Sequence, residues 1–301
     1  MHNSPEKLLP GVLEVARAAG RAILGIYAGA DQVVETKADQ SPLTAADRAA
    51  NDVIIAGLAR LAPAIPVWSE ESAAVDWETR RHWPSFWLVD PLEGAREFIK
   101  RNGEFTVNIA LVLGHVPFLG VVHAPVLDRD YYGVAGTGAF RADGGGAGRP
   151  IRVRAPAQTP VRVAGSRSHR GSSLDALLAR MGEHTLVAMG SSLKFCLVAE
   201  GEADFYPRLG PTSEWDTAAA QAVVEAAGGA VVDLAGLPLR YNTRPEILNP
   251  HFLARGDPGR PALPAAALAL RAGAAARRVG HHHGQRRGHG RGRRHGHPAA
   301  P

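Results

Sequence analysis

The chain has 301 residues, 45% hydrophobic and 21% charged, which is too apolar for disorder and long enough to bury about three quarters of its surface. A single cysteine, Cys196, excludes an intramolecular disulfide framework and any multi-cysteine zinc or iron–sulfur site. The net charge is +5, but nine arginines and no acids lie from residue 258 onward, and removing those nine leaves −4 for residues 1–257.

The body is therefore mildly acidic, and no specific nucleic acid is expected as its partner. Glu6, Glu14, Arg17 and Arg21 interrupt the N-terminal apolar pattern, unlike a secretory signal. The apolar stretch 105–127 is broken by His115, Pro117, Gly120 and His123, so no membrane span is expected. A cytoplasmic location follows, with peripheral contact at the cytoplasmic face of the inner membrane left open by the basic tail.

In chain order, Leu8, Val12, Val15, Ala19, Ile23 and Ile26 recur at helical spacing and predict a helix ending near Gly29. A short strand at 32–35 and a polar loop at 36–41 precede a second helix, predicted over 43–61. Pro66–Trp68 and Phe86–Val89 read as short buried strands. Residues 105–141 read as a meander of three strands and an edge piece, with turns at Gly114-His115, Leu127–Arg129 and Gly136–Gly138. Beyond the Gly-rich loop 143–148, strands at 161–164, 186–188 and 204–207 alternate with helices at 174–181, 192–200 and 215–227, and 231–232 and 252–254 close the pattern. The expectation is a layered α/β sandwich with an N-terminal α+β half over 1–150 and an α/β half over 151–257. Residues 258–301 are low in complexity and hold six of the thirteen histidines. They read as a disordered, solvated tail, with polyanion, membrane-surface or metal contact as the alternatives.

The acids fall at strand ends. Glu70 and Glu71 follow the run ending at Trp68, and Asp90 opens Asp-Pro-Leu-Glu-Gly-Ala-Arg-Glu-Phe. Ligands of open α/β sheets bind at such carboxyl ends. Pro91 sets a turn, and Gly94 permits a close backbone approach before a helical turn at 96–99. Several carboxylates beside such a turn suit a phosphate bridged to the protein by Mg²⁺, although each acid alone also reads as a surface or capping charge. Thr44 and Asp47 have capping-box spacing, and Asp216 starts an apolar helix, where a carboxylate is favoured by the dipole in any case.

Five motifs, Ser-Pro-Leu-Thr-Ala-Ala-Asp, Trp-Ser-Glu-Glu, the Asp90 segment, Gly-Ser-Ser-Leu-Lys-Phe-Cys-Leu-Val-Ala-Glu-Gly and Trp-Asp-Thr-Ala-Ala, occur in this order. The order resembles the magnesium-dependent inositol monophosphatase superfamily, also typified by fructose bisphosphatase. The Gly190–Gly201 block and Phe205-Tyr206-Pro207-Arg208 are similar to its CysQ-type 3'(2'),5'-bisphosphate nucleotidases. The resemblance implies a five-layer α/β/α/β/α sandwich and two or three Mg²⁺ ions. Glu70, Asp90, the Leu92 carbonyl, Glu93 and Asp216 would be the metal ligands. Glu70 and Asp47 would serve catalysis through an attacking water. Gly94 and Ala95 would offer backbone N–H groups to the phosphate. Substrate would further meet Glu70, Leu92, Glu93, Asp216, His169, Ser191, Lys194 and Arg208; for Ser191 and Ser192 plain helix capping is the alternative, and for His169 a surface loop.

Two positions depart from the family pattern Asp-Pro-Leu-Asp-Gly-Thr. Glu93 lengthens one carboxylate, and Ala95 removes the hydroxyl that in relatives links the acid matching Asp47 to the water. The implied function is Mg²⁺-dependent hydrolysis of adenosine 3',5'-bisphosphate to AMP and phosphate, clearing a by-product of sulfate activation. An inositol or sugar monophosphatase is the alternative within the class. A catalytically impaired homologue that binds nucleotide or polyanion is the alternative outside it.

Overall fold

Side-chain alternation along the strands decides the layers. In the strand Ser85–Glu93, Phe86 and Leu88 enter one apolar cluster while Trp87 and Val89 enter another, as a period of two requires. The computed structural model describes residues 4–28, 34–36, 42–71, 75–166 and 172–259. The tail from 260, His169 and most of the loop expected at 36–41 lie outside the described residues.

The elements, in order, are α1 (Leu9–Tyr27), β1 (Val34–Thr36), β2 (Pro42–Thr44), α2 (Ala45–Leu61), β3 (Val67–Ser69), α3 (Trp77–Arg80), β4 (Ser85–Glu93), α4 (Ala95–Ile99), β5 (Thr106–Leu113), β6 (Val116–Ala124), β7 (Arg129–Val134), β8 (Gly138–Asp143), β9 (Arg149–Ile151), β10 (Val161–Ser166), α5 (Ser172–Met181), β11 (His184–Met189), α6 (Leu193–Ala199), β12 (Phe205–Arg208), α7 (Ala218–Ala226), β13 (Ala230–Asp233) and β14 (Phe252–Arg255). Strands β3 to β9 form one sheet in sequence order, with β3 parallel to β4 and the remaining pairs antiparallel. The second sheet runs β11-β10-β12-β14-β13, parallel among its first three strands and antiparallel beyond.

Three cores separate five layers. Val12, Ala16, Ala19 and Ile23 of α1 and Ala50, Ile54 and Leu58 of α2 pack on Trp87, Val89, Ile109 and Leu111 on the outer face of the first sheet. Helices α6 and α7 fill the space between the sheets against Phe86, Leu88, Ala110 and Val112 on one side and Tyr206, Phe252 and Ala254 on the other. Leu178 of α5 covers Val163, Phe205 and Leu253 on the far face of the second sheet. This is the α/β/α/β/α sandwich expected. Helix α7 lies so close to β6 that a Cβ on Gly120 would stand 2.1 Å from the Ala219 carbonyl oxygen.

The structure corrects several sequence boundaries. The second helix starts at Ala45, because Pro42–Thr44 pairs antiparallel with Val34–Thr36. The helix expected over 215–227 is two elements, a 3-10 turn at Glu214–Asp216 and then α7. A reciprocal pair of hydrogen bonds between Ser213 and Asp216 closes that turn, and Thr217 leaves helical geometry at φ −122°. Helix α3 has no counterpart in the hydrophobic pattern; its signal was Asp76, whose carboxylate accepts the Thr79 N–H.

Candidate active site

Strand β4 does not end at Asp90. It pairs Asp90 with Asn108 and Glu93 with Thr106, so three steps along β4 span two along β5. Such a bulge re-aims side chains at a sheet end. Asp90 Oδ1 accepts the Leu92 N–H at 3.1 Å, which curls the strand back on its own carboxylate. Gly94, at φ +96°, then turns the chain into α4. A Cβ there would meet Ser191 Cβ at 3.0 Å on a backbone that side-chain-bearing residues rarely adopt. Next door, the Glu70 N–H donates to the Val89 carbonyl, so the residue after β3 lies beside Asp90.

From the chain beyond β12, the 3-10 turn delivers Asp216. Ligand oxygens of Glu70, Asp90 and Asp216 all lie within 4.8 Å of one another, and these three form the metal-capable cluster among the described residues. Asp90 is 1% exposed. Its Oδ2 is buried with no hydrogen-bond partner among the described residues. Burial, followed by the charges of Glu70, Glu93, Asp216 and Asp47, pushes its carboxyl well above the usual range. Burial and then the charges of Glu93 and Glu70 push Asp216 up in the same way. Carboxylates crowded into a desolvated site are costly unless a cation balances them. An all-oxygen set with an orphaned buried oxygen fits a hard divalent ion such as Mg²⁺.

Glu93 is outside the trio, yet its charge acts on both Asp90 and Asp216. Asp47 is buried on the first turn of α2 and also acts on Asp90. Thr44, its expected capping partner, belongs to β2, and its side chain lies outside the described residues. Ala95 opens α4 and Leu92 is buried on the bulge.

Plain helix capping, the alternative for the two serines, does not hold for Ser192, whereas the Ser191 hydroxyl accepts the Ser192 N–H at the start of α6. Ser192 precedes α6 without a capping hydrogen bond. Instead Asn108 Nδ2 donates to Ser192 Oγ at 2.8 Å, and that hydroxyl donates to the Asp216 carbonyl at 3.2 Å. Ser191, at φ +51°, shares a 2.6 Å hydrogen bond with the Thr106 hydroxyl. Lys194 is 5% exposed, and its ammonium donates to the Ser191 carbonyl at 2.6 Å. Burial brings its pKa down to about 8, with Arg208 adding to the fall and Glu93 opposing it. Arg208 is half-buried and donates through Nη2 to Pro211. The two cations thus neighbour the acid cluster, with Lys194 bracing the Ser191 turn.

Sequence reasoning missed Thr106 and Asn108, which tie β5 to the start of α6. Their signal was present: positions 106, 108, 110 and 112 share one face of a buried strand, and two of them are polar. It also missed Glu214, whose carboxylate accepts the Asn242 N–H. Burial pushes Glu214 up to about 7, partly offset by that bond and by the charge of Arg80.

The model of the Inositol monophosphatase family matches residues 4–260. A 3'(2'),5'-bisphosphate nucleotidase CysQ of Escherichia coli O157:H7 is 52% identical over 246 residues, 81% of this chain and 98% of that one. The enzyme of the same name from Buchnera aphidicola is 43% identical over 257 residues, covering 84% and 96%. Among solved structures, CysQ from Bacteroides thetaiotaomicron, a bacterial member of the inositol monophosphatase family, superposes with a TM-score of 0.73 at 41% identity, over 83% of this chain and 97% of that one. With its sandwich, its bulged Asp90 strand and its converging acids, the chain belongs to the inositol monophosphatase family.

Proposed function

We propose that the protein is a Mg²⁺-dependent 3'(2'),5'-bisphosphate nucleotidase that hydrolyses adenosine 3',5'-bisphosphate to AMP and phosphate. The observation that carries the chemistry is the convergence of the half-buried Glu70 and Asp216 on the buried Asp90. The similarity to CysQ nucleotidases over four fifths of the chain supports the substrate. Glu70, Asp90, the Leu92 carbonyl, Glu93 and Asp216 would hold two or three Mg²⁺ ions. When bound, those ions neutralise the phosphate and stabilise the entering and leaving oxygens of an in-line displacement.

The chain's own groups do the rest. Backbone N–H groups at Gly94 and Ala95 orient the phosphate at the mouth of the bulge. Water attacks phosphorus and gives one proton to Glu70, with Asp47 as the further carboxylate on that side. The bond from phosphorus to the ribose oxygen breaks, and that oxygen leaves with the electron pair and takes a proton from solvent to become the hydroxyl of AMP. Glu70 returns its proton to solvent. Ala95 supplies no hydroxyl between Asp47 and the water, so turnover is expected below that of a site with threonine there. Arg208 and Lys194 supply positive charge for the second phosphate, as bisphosphate recognition requires. No helix of the described residues is long and apolar enough to cross a membrane, and the reading places the enzyme in the cytoplasm.

Phosphate release tests this on adenosine 3',5'-bisphosphate, inositol phosphates and sugar phosphates, each with and without Mg²⁺. The expected result is Mg²⁺-dependent turnover fastest on the nucleotide. Faster release from an inositol phosphate overturns the substrate assignment, and turnover unaffected by chelation overturns the metal assignment.

A further inference from the structure

Glu70 and Asp216 come from distant segments of the chain, and a bound divalent ion needs them at a fixed separation. Mg²⁺ demands near-octahedral geometry at short distances. Something must hold the turn before each acid in place, and one side chain reaches both.

Arg80, on the last turn of α3, is 2% exposed. Its guanidinium carbon stands 4.3 Å from the centroid of the Trp68 ring and 4.9 Å from that of Trp77. Trp68 lies two residues before Glu70 and packs edge-on against Trp215, with centroids 5.8 Å apart. Trp215 immediately precedes Asp216. The aromatic seat of Arg80 thus joins the approaches to both acids.

The fork of Arg80 makes a second connection. Nη1 donates to Asn242 Oδ1 at 2.6 Å and to the Arg244 carbonyl, and Nη2 donates to the Pro245 carbonyl. Asn242 returns a hydrogen bond from Nδ2 to the Arg80 carbonyl at 2.6 Å. Asn242 is fully buried at φ +55°, a conformation that needs such support. Its N–H holds the Glu214 carboxylate at 2.7 Å, and the Glu214 N–H donates to the Ile247 carbonyl. The turn carrying Asp216 therefore rests on residues 242–247, and those rest on Arg80.

We propose that Arg80 is a positioning residue for the divalent-cation site. It sets the separation of Glu70 and Asp216 through the Trp68–Trp215 contact and the Asn242–Glu214 bond, without touching substrate. This rests on the reading of Glu70, Asp90 and Asp216 as a cation site. Lysine keeps the charge but cannot form a planar fork or stack on two indoles in the same way.

The test titrates full-length protein with Mn²⁺ alone, counting free ion by electron paramagnetic resonance, for wild type, Arg80→Lys, Trp68→Phe and Asp130→Asn. Asp130 sits in a buried ion pair elsewhere and controls for lost stability. Arg80→Lys is expected to weaken Mn²⁺ binding about tenfold, as loss of outer support around a metal site typically does. The Mg²⁺ concentration for half-maximal rate should rise by a similar factor while kcat at saturating Mg²⁺ stays near wild type. Trp68→Phe should shift both in the same direction by less, and it decides the matter if Arg80→Lys does not fold. Unchanged Mn²⁺ affinity in Arg80→Lys, or in Trp68→Phe where only that variant folds, makes Arg80 a purely structural residue and overturns the proposal. If wild type itself binds no Mn²⁺, the cation site falls and Arg80's role falls with it.

Discussion

Two buried aspartates of the first sheet show opposite solutions to one problem. Asp130, 2% exposed on β7, accepts two hydrogen bonds from Arg17, at 2.9 and 2.7 Å, and one from the His123 ring at 2.7 Å. Burial alone would raise its pKa, but those partners outweigh it and hold the carboxyl below its ordinary value. Asp90 is buried as deeply, yet it is surrounded by acids and pushed well above the ordinary value. One carboxylate is matched inside the protein and serves the fold. The other is surrounded by acids, an arrangement that a divalent cation would balance. Burial alone therefore does not mark a candidate functional acid; burial without an internal counter-charge is the better marker.

The largest expected effect separates the two sites directly. Asp90→Asn should reduce phosphate release by at least about 100-fold, while raising the melting temperature of metal-free protein because an unmatched buried charge is gone. Wild-type turnover in this variant would remove Asp90 from the cation site. Addition of Mg²⁺ should stabilise the wild type, by about 2.7 kcal/mol at one hundred times the dissociation constant, and should leave Asp90→Asn nearly unmoved. Calcium should bind and inhibit, since its larger and looser shell mis-spaces the oxygens.

A gain of function sharpens the picture of the unmatched site. Ala95→Thr is expected to raise kcat by restoring a hydroxyl between Asp47 and the attacking water, with about 10²-fold as the scale of recovered proton transfer. Glu93→Asp is expected mainly to lower the Mg²⁺ concentration for half-maximal rate. The two positions lie two apart on one turn, so the double variant should depart from additivity. Steady-state kinetics that show no change in any of the three variants would mean that the bulge is not organised around the phosphate as proposed.

The matched site should behave in the reverse manner. Asp130→Asn should cost about 2 kcal/mol of stability at neutral pH and leave turnover intact. The pH dependence has opposite signs at the two aspartates. Because the folded pKa of Asp130 is depressed, its contribution is complete above the ordinary value of 3.8 and disappears as pH falls through the folded value. Because the folded pKa of Asp90 is raised, metal-free protein should lose stability as pH rises above 3.8. Thermal melts of both variants across pH 3–8, with chelator, read these slopes; equal slopes would end the contrast. The smallest effect is expected from ending the chain at Asp257. That change removes the nine tail arginines and should leave melting temperature and kcat unchanged.

The sequence alone determined the layers and the acids. The switch from period two to helical spacing along the chain specifies a layered α/β sandwich, while the order of five layers came from the resemblance of the motifs to a known family. The acids at 70, 90 and 216 stand at strand and helix boundaries, where local pattern is readable. Tertiary structure decided everything that depends on contact between distant segments. Whether Ser192 caps its helix or joins Asn108 to the Asp216 carbonyl turns on how the sheet and α6 meet, which no local window contains. The bulge after Asp90 is a property of pairing with β5 and not of β4 alone. Arg80 reads in sequence as one more charge on a short polar turn, 162 residues from Asn242, to which it is bound. Local propensity is encoded in neighbours along the chain, whereas the separation of two carboxylates is set by packing that brings residues 68, 80, 215 and 242 together.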